Sequence, residues 1–266
     1  EAAAEIGGQF NLARRIPGKE EFDETLRYFR HRLVETAVDV RLATWATPQL
    51  LAGFDAVVVA TGVVPRETSF PGSDHPKVVG YLDVLEGRVR CGQRVAIIGA
   101  GGIGFDTATF LVQDGPAPSR DPARWMAEWG IDPRFEARGG LAPPRPDPPA
   151  REVWLLQRSP GRPGARLGRT TGWIHRAHLK AKGVRMLGGV SYLGVDAAGL
   201  RIGVDGSEQT LPVDHVVVCA GQEPRRELVG ALRGHAALHV IGGADVAVEL
   251  DAKRAIAQGT RLAAAL

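Results

Sequence analysis

A short apolar run that leads directly into a glycine-rich turn constrains this chain more than any other feature. Residues 95–98 are apolar, the pattern Gly99-x-Gly101-x-x-Gly104 follows them, and residues 105–111 have a helical character. Strand, glycine turn and helix in this order are the context of a dinucleotide fingerprint. Gly99 allows the tight turn, Gly101 lets the backbone approach a pyrophosphate, and Gly104 allows close packing of helix on strand. The alternative is a structural turn that binds no ligand.

The end of the next strand indicates which dinucleotide is bound. In a unit that binds NAD, this second strand ordinarily ends in Asp or Glu, which binds a ribose hydroxyl. Here, residues 152–157 form the predicted strand, and Gln157 and Arg158 occupy its end, with further arginines at positions 162, 166 and 169. Arginine binds a 2′-phosphate whereas a carboxylate repels it, so we predict NADP. The alternative is a solvated basic loop. The predicted NADP contacts are Gly99, Gly101, Gly102, Ile103, Gly104 and Arg158.

A repeated pattern predicts that one domain is inserted in another. Residues 56–62 and 215–221 are both valine-rich strands that end in glycine, and both continue to a proline and an arginine. We therefore predict an α/β fold of two nested Rossmann-like nucleotide-binding domains, one inserted in the other. The order of these pieces resembles the flavin disulfide-reductase type of fold, and this resemblance implies that the NADP domain is inserted in the FAD domain. The expected boundaries are 1–88 for the first part of the FAD domain, 89–215 for the NADP domain and 216–266 for the return segment.

This nesting makes a specific prediction about strand pairing. Residues 54–59 and 238–241 should pair in one parallel sheet, while residues 90–215 form a separate sheet. Prolines interrupt the NADP domain between residues 115 and 150, where only 124–129 is predicted to be helical. Helical spacing is also present over 20–34, 171–182 and 246–262, and residues 190–213 alternate in polarity like an antiparallel meander. A short alternating strand is predicted over 38–42.

Composition excludes some classes of function. The chain has 266 residues, is 44% hydrophobic and carries a net charge of +3 from dispersed arginines, which does not indicate nucleic-acid binding. No apolar run of the length of a membrane span is present, so no membrane association is predicted. Cys91 and Cys219 fit no metal or C-x-x-C pattern and favour a reducing, cytoplasmic compartment. No metal site is predicted, and His175 and His178 are expected on a helix surface.

Segments across nearly the whole chain resemble the bacterial NADPH-dependent 2,4-dienoyl-CoA reductases, which belong to the NADH:flavin oxidoreductase, Old Yellow Enzyme-like group. The resemblance is specific, and residues 115–150 diverge most. The segments that carry it are residues 5–11, 16–22, 25–28, 74–78, 81–85, 99–106, 167–176, 219–224 and 249–259. The resemblance implies that the chain corresponds to a C-terminal segment of such an enzyme.

The resemblance also implies how FAD is held and where the electrons go. Asp245, which follows a predicted strand, is expected to bind a ribityl hydroxyl, with a helix N-cap as its alternative role. Glu1 falls where the family has the acid that binds the adenosine ribose. The implied FAD contacts are Glu1, Gly8, Gln9, Lys19, Ala46, Ala60, Thr61, Gly62 and Asp245.

In such an enzyme, NADPH reduces FAD, and electrons pass through a 4Fe–4S cluster to FMN in an N-terminal barrel. The FMN then reduces an unsaturated acyl-CoA of fatty acid β-oxidation. The residues that reduce the substrate are expected outside this segment, so no catalytic residue is assigned within it. Two alternatives remain open: a related NAD(P)H:flavin oxidoreductase or enoate reductase, and a non-catalytic module that binds ADP, as in relatives that resemble trimethylamine dehydrogenase.

Overall fold

A computed structural model of the chain describes residues 1–234, 237–248 and 252–266. Within these residues the helices are α1 (Phe10–Ala13), α2 (Phe22–Glu35), α3 (Pro48–Leu51), α4 (Tyr81–Leu85), α5 (Gly102–Val112), α6 (Pro122–Trp129), α7 (Gly172–Ala181), α8 (Glu227–Ala231) and α9 (Ala252–Ala263). Short 3-10 turns lie at Pro118–Arg120, Arg138–Gly140 and Gly242–Ala244. None of the described helices is both long and apolar enough to cross a bilayer.

The strands in the described part of the chain are β1 (Val57–Val59), β2 (Val63–Pro65), β3 (Val78–Gly80), β4 (Arg94–Ile98), β5 (Glu152–Leu156), β6 (Arg185–Leu187), β7 (Ser191–Asp196), β8 (Gly199–Val204), β9 (Ser207–Leu211), β10 (His215–Val218), β11 (Gln222–Pro224) and β12 (Leu238–Val240). The chain divides into two compact units. Unit 1 comprises Glu1–Gly8, Thr25–Glu67 and Gly221–Leu266, and unit 2 comprises Gln9–Glu24 and Thr68–Ala220. The predicted α/β fold is confirmed.

Unit 2 contains a five-stranded parallel sheet in the order β3-β10-β4-β5-β6. Successive residues of β4 point to opposite faces, so Val95 and Ile97 join a core with α4, α5 and α7, whereas Ala96 and Ile98 join a core with the meander. That meander is the predicted antiparallel sheet β7-β8-β9. Burial on both faces explains why β4 is apolar along most of its length.

Unit 1 contains two small sheets. The first joins β1 and β12 in parallel, with Val57 opposite Leu238, so the predicted pairing across this distance in sequence is confirmed. The second joins β2 and β11 in antiparallel order, and these strands are the equivalent segments of the two sequence repeats. Just beyond this ladder the repeats bond reciprocally: Arg225 N donates to Gly62 O, and Arg66 N donates to Gly221 O, each at 3.0 Å.

The bounds of the units differ from the expected domain boundaries. Strand β3 was expected in the first part of the FAD domain, and β10 largely in the return segment, yet both belong to the five-stranded sheet. The reason is pairing: β10 is apolar on both sides and lies between β3 and β4. Which nucleotide each unit binds stays a prediction.

Two predicted elements of unit 1 need correction. Residues 38–42 form no strand, because Val38, Val40 and Leu42 are all exposed and the chain bends through positive φ at Ala37 and Ala43. The helix predicted over 246–262 is observed only as α9. Residues 246–248 are not helical, consistent with the low helix propensity of valine, and residues 249–251 lie outside the described residues.

The proline-rich insertion, residues 115–150 between α5 and β5, contains the short helix that was predicted over 124–129. The side chain of Asp121 accepts a hydrogen bond from Arg124 N at 3.1 Å, Pro122 occupies the first turn of α6, and Gly130 ends it in the left-handed conformation. Beyond this helix, backbone bonds fold the insertion back on itself, from Ala142 N to Gly130 O at 2.8 Å and from Arg145 N to Ala127 O at 2.8 Å.

Candidate functional site

The glycine turn after β4 contains two kinds of glycine. Gly99 has a φ of 109°, and a Cβ there would collide with the carbonyl oxygen of Cys219; a Cβ at Gly104 would collide with the carbonyl oxygen of Gly99. Packing within unit 2 therefore requires glycine at both positions. At Gly101 and Gly102, in contrast, no atom of the described residues lies within 4 Å of the Cβ position. These two glycines leave an open surface that fits the close approach of a ligand.

The start of α5 is suited to an anion. Gly101 is the N-cap residue, no described side chain caps the helix, and its first turn contains no acidic residue. The N–H groups at the start of a helix have no partner within the helix and form the positive end of its dipole. The backbone at Gly102 and Ile103 is therefore available to bind a pyrophosphate.

The loop after β5 places basic side chains at the same edge of the sheet. β4 and β5 are parallel, with Ile98 opposite Leu156, and Gly99 N donates to Leu156 O at 2.8 Å. Gln157 and Arg158 therefore leave the sheet beside the glycine turn. The arginines of this loop are exposed, and no carboxylate of the described residues forms an ion pair with them; they are Arg158, Arg162, Arg166 and Arg169. Exposed guanidinium groups without an acidic partner suit a phosphate.

Asp106 was not predicted as a site residue. Lys19 Nζ lies 2.7 Å from Asp106 Oδ1 and 2.6 Å from Oδ2, and this ion pair joins the loop after α1 to α5. Lys19, expected to contact FAD, thus belongs to unit 2 and is held by a helix that begins at the glycine turn. The available signal was the single charge in the otherwise uncharged helix sequence Gly102–Val112.

A cleft of about 170 Å³ lies in unit 2 beside this ion pair. Its walls come from the loop that contains Lys19, from α5 and α7, and from Trp125 and Trp129 of the insertion. His175 and His178 line the cleft and are partly buried, which corrects their expected place on a helix surface. Burial lowers the pKa of both imidazoles. For His175, the charge of Lys19 lowers the pKa further while that of Asp106 opposes the shift.

In unit 1 the structure brings four of the predicted FAD residues to the same edge of the small parallel sheet. Residues 60–62 directly follow β1, and Asp245 follows β12 after a 3-10 turn. No described residue donates a hydrogen bond to the Asp245 carboxylate, so it can accept one from a ligand hydroxyl. The helix N-cap alternative is not supported, because residues 246–248 are not helical.

The remaining predicted FAD residues lie elsewhere in the chain. Glu1 Oε1 accepts a hydrogen bond from Ala3 N at 2.9 Å, and the backbone nitrogen of Glu1 donates to Arg41 O at 2.9 Å. Gly8 has a φ of 49°, and Ala46 is half-buried in front of α3. Gln9 is the N-cap residue of α1 in unit 2. Contact between these residues and FAD stays a prediction.

Comparison with known proteins gives a consistent result. The family model described as pyridine nucleotide-disulphide oxidoreductase matches residues 32–253. A metal reductase of Desulforamulus reducens is 28% identical over 251 residues, which are 92% of this chain and 36% of that protein. Among solved structures, a 2-naphthoyl-CoA reductase superposes with a TM-score of 0.78 at 22% identity, over 98% of this chain and 34% of the other.

A histamine dehydrogenase of Rhizobium sp. 4-9 has a TM-score of 0.71 at 17% identity, over 99% of this chain and 39% of the other. At these levels of identity, the structural similarity concerns the fold. The chain spans about a third of the length of each of these relatives.

Proposed function

The chain belongs to the pyridine nucleotide-disulphide oxidoreductase family, and from this we propose that it is the electron-input module of an NADPH-dependent flavoprotein reductase. Membership of this family implies that the chain binds FAD and NAD(P). We assign NADP to unit 2 and FAD chiefly to unit 1. The observation that carries the choice of coenzyme is the arrangement of the open glycine turn and the unpaired arginines at neighbouring strand ends of one sheet.

The residues of unit 2 bind and orient the coenzyme. The backbone N–H groups of Gly102 and Ile103 hold the pyrophosphate, because Gly101 and Gly102 leave room for it. Arg158 binds the 2′-phosphate of the adenosine ribose, which distinguishes NADPH from NADH. When both cofactors are bound, the nicotinamide supplies a hydride and the flavin accepts it. Asp106 fixes the position of the Lys19 ammonium group.

In unit 1, Asp245 accepts a hydrogen bond from a ribityl hydroxyl of FAD, and Glu1 binds the adenosine ribose. The carboxylate of Asp245 has no competing donor among the described residues, which supports this assignment. The neighbouring backbone at residues 60–62 borders the same ligand.

For the whole protein we propose the activity of a 2,4-dienoyl-CoA reductase. FMN, a 4Fe–4S cluster and the residues that reduce the unsaturated acyl-CoA would belong to a barrel in the same polypeptide. The segments of sequence that resemble the 2,4-dienoyl-CoA reductases support this choice among the possible substrates. A cytoplasmic location fits such an enzyme.

The test is the choice of coenzyme by the full-length holoenzyme. Arg158→Ala should weaken the binding of NADPH by one to two orders of magnitude, because a charge-assisted bond to phosphate contributes about 1.5–3 kcal/mol. The binding of NADH, which has no 2′-phosphate, should be nearly unchanged. The measurement is the rate of flavin reduction against the concentration of each coenzyme. Arg134→Ala, which removes an exposed arginine paired with Glu136, is the matched control and should leave both rates unchanged.

Each outcome bears on a different part of the proposal. Equal losses for NADPH and NADH would mean that Arg158 acts on folding or on the shared pyrophosphate, and the choice of NADP would fail. A full-length protein that retains ADP and no FAD would instead support the non-catalytic module. A reductase that accepts cinnamate-like enoates and no dienoyl-CoA would support the enoate reductase alternative.

A further inference from the structure

The side chain of Gln157 faces its own loop. Its Nε2 donates to Ser159 O at 3.0 Å and to Gly161 O at 3.2 Å. Both amide hydrogens therefore bond to backbone carbonyls of the loop after β5 that contains the arginines. In a unit that binds NAD, the residue at this strand end is an acid that binds the ribose directly. A carboxylate has no hydrogen to donate at neutral pH and cannot make these two bonds.

Backbone hydrogen bonds also hold the loop against the segment that follows β6. Gly189 N donates to Ser159 O at 2.9 Å, and Val190 N donates to Gln157 O at 3.0 Å. A Cβ at Gly188 would collide with the carbonyl oxygen of Gly161. The loop therefore packs against Gly188 and Gly189 and is closed by hydrogen bonds from the Gln157 amide. Arg158 and Arg162 flank the closed segment. Their backbone positions therefore depend on the Gln157 hydrogen bonds and on the contacts with the segment after β6.

We propose that Gln157 is a positioning residue for coenzyme specificity: its amide shapes the loop so that Arg158 and Arg162 form a site for a 2′-phosphorylated nucleotide. This inference rests on the proposed binding of NADP by unit 2. The coenzyme preference then depends on a hydrogen-bond donor at position 157 as well as on the absence of an acid there. A glycine at position 188 is the second requirement for the same loop shape.

The experiment measures ligand binding by calorimetry, with full-length holoenzyme and adenosine 2′,5′-bisphosphate as the probe and ADP as the comparison. Gln157→Met keeps the length of the side chain and removes the donor without adding charge. It should lower the affinity for the bisphosphate about tenfold, which is the effect of losing one to two hydrogen bonds. The affinity for ADP should be unchanged. Gly188→Ala should give the same result, because the added Cβ would displace the Gly161 carbonyl that accepts a bond from Gln157. Gln209→Met, an exposed position on β9, is the control.

A second measurement needs no ligand. Amide hydrogen exchange of Gly189 and Val190, whose N–H groups donate to Ser159 O and Gln157 O, should be faster in Gln157→Met than in the parent. Exchange over β4 should stay the same, which also shows that the variant is folded. Unchanged exchange and unchanged bisphosphate affinity in Gln157→Met would overturn the inference. So would a loss confined to Gln157→Glu, because charge repulsion alone would then explain it. If the parent protein does not prefer the bisphosphate over ADP, the proposed NADP site itself fails, and this inference fails with it.

Discussion

His178 shows how burial of one residue in the cleft sets a pH dependence. Burial is the main reason that its pKa is lowered from 6.5; Glu128, with Oε1 4.0 Å from His178 Nδ1, opposes the shift, while Lys182 and His175 add to it. The unfolded chain therefore binds a proton more readily than the folded one between the folded pKa and 6.5. Since stability rises with pH wherever the unfolded state holds more protons, we expect it to fall as the pH drops below about 6.5.

The measurement is urea unfolding at pH 7.5 and 5.5 for the parent chain and for His178→Gln. The variant should lose less stability between the two pH values, because one of the groups that takes up a proton on unfolding is gone. His31→Gln, at an exposed position of α2, is the control and should behave like the parent. A parent and a His178→Gln variant with the same pH dependence would show that His178 does not contribute.

At the scale of elements, one buried ion pair anchors the insertion. Lys182 Nζ lies 2.9 Å from Glu128 Oε1 of α6 and donates to Asp147 O at 3.1 Å, and the two side chains are 1% and 7% exposed. Lys182→Met leaves the Glu128 carboxylate buried without its cation, so we expect a loss of about 3–5 kcal/mol in the free energy of unfolding. Adding Glu128→Leu should recover much of the lost stability, because the pair then leaves no buried charge.

Denaturant unfolding of the two variants and the parent measures this difference. Lys180→Met, at an exposed position two residues before Lys182, is the control. A double variant no more stable than Lys182→Met would contradict this explanation, because the unpaired carboxylate would then not be the cause of the loss.

The sequence predicted an element correctly where nearby residues determine its structure. It failed where the structure depends on a partner that is distant in the sequence. Only glycine fits at positions 99 and 104, because a Cβ there would collide with backbone carbonyl oxygens. The turn between β4 and α5 could therefore be predicted from the local sequence. Strand β3 has three residues in a segment rich in prolines, and only its neighbour β10 makes it a strand. Asp106 was missed because its partner Lys19 lies 87 residues away, and no pattern near Asp106 indicates that partner.

At the scale of the whole molecule, the two units should differ in stability. The five-stranded sheet of unit 2 is buried on both faces, whereas the parallel sheet of unit 1 has two strands, a small core and an exposed Val58. We expect amides of β4 and β5 to exchange with deuterium at least about tenfold more slowly than those of β1 and β12, because local opening follows local packing. Mass spectrometry of peptides from the 266-residue chain measures this. Equal protection in both sheets would indicate one cooperative unit.

The reciprocal bonds between the two sequence repeats have a consequence for how this chain can evolve. Each copy is the pairing partner of the other, as the two faces of a symmetric dimer interface are. A proline in place of Arg66 or Arg225 would remove an N–H on which a glycine carbonyl of the opposite copy depends. Proline at either position is therefore incompatible with the pairing of the opposite copy, whereas other side chains leave these backbone bonds intact.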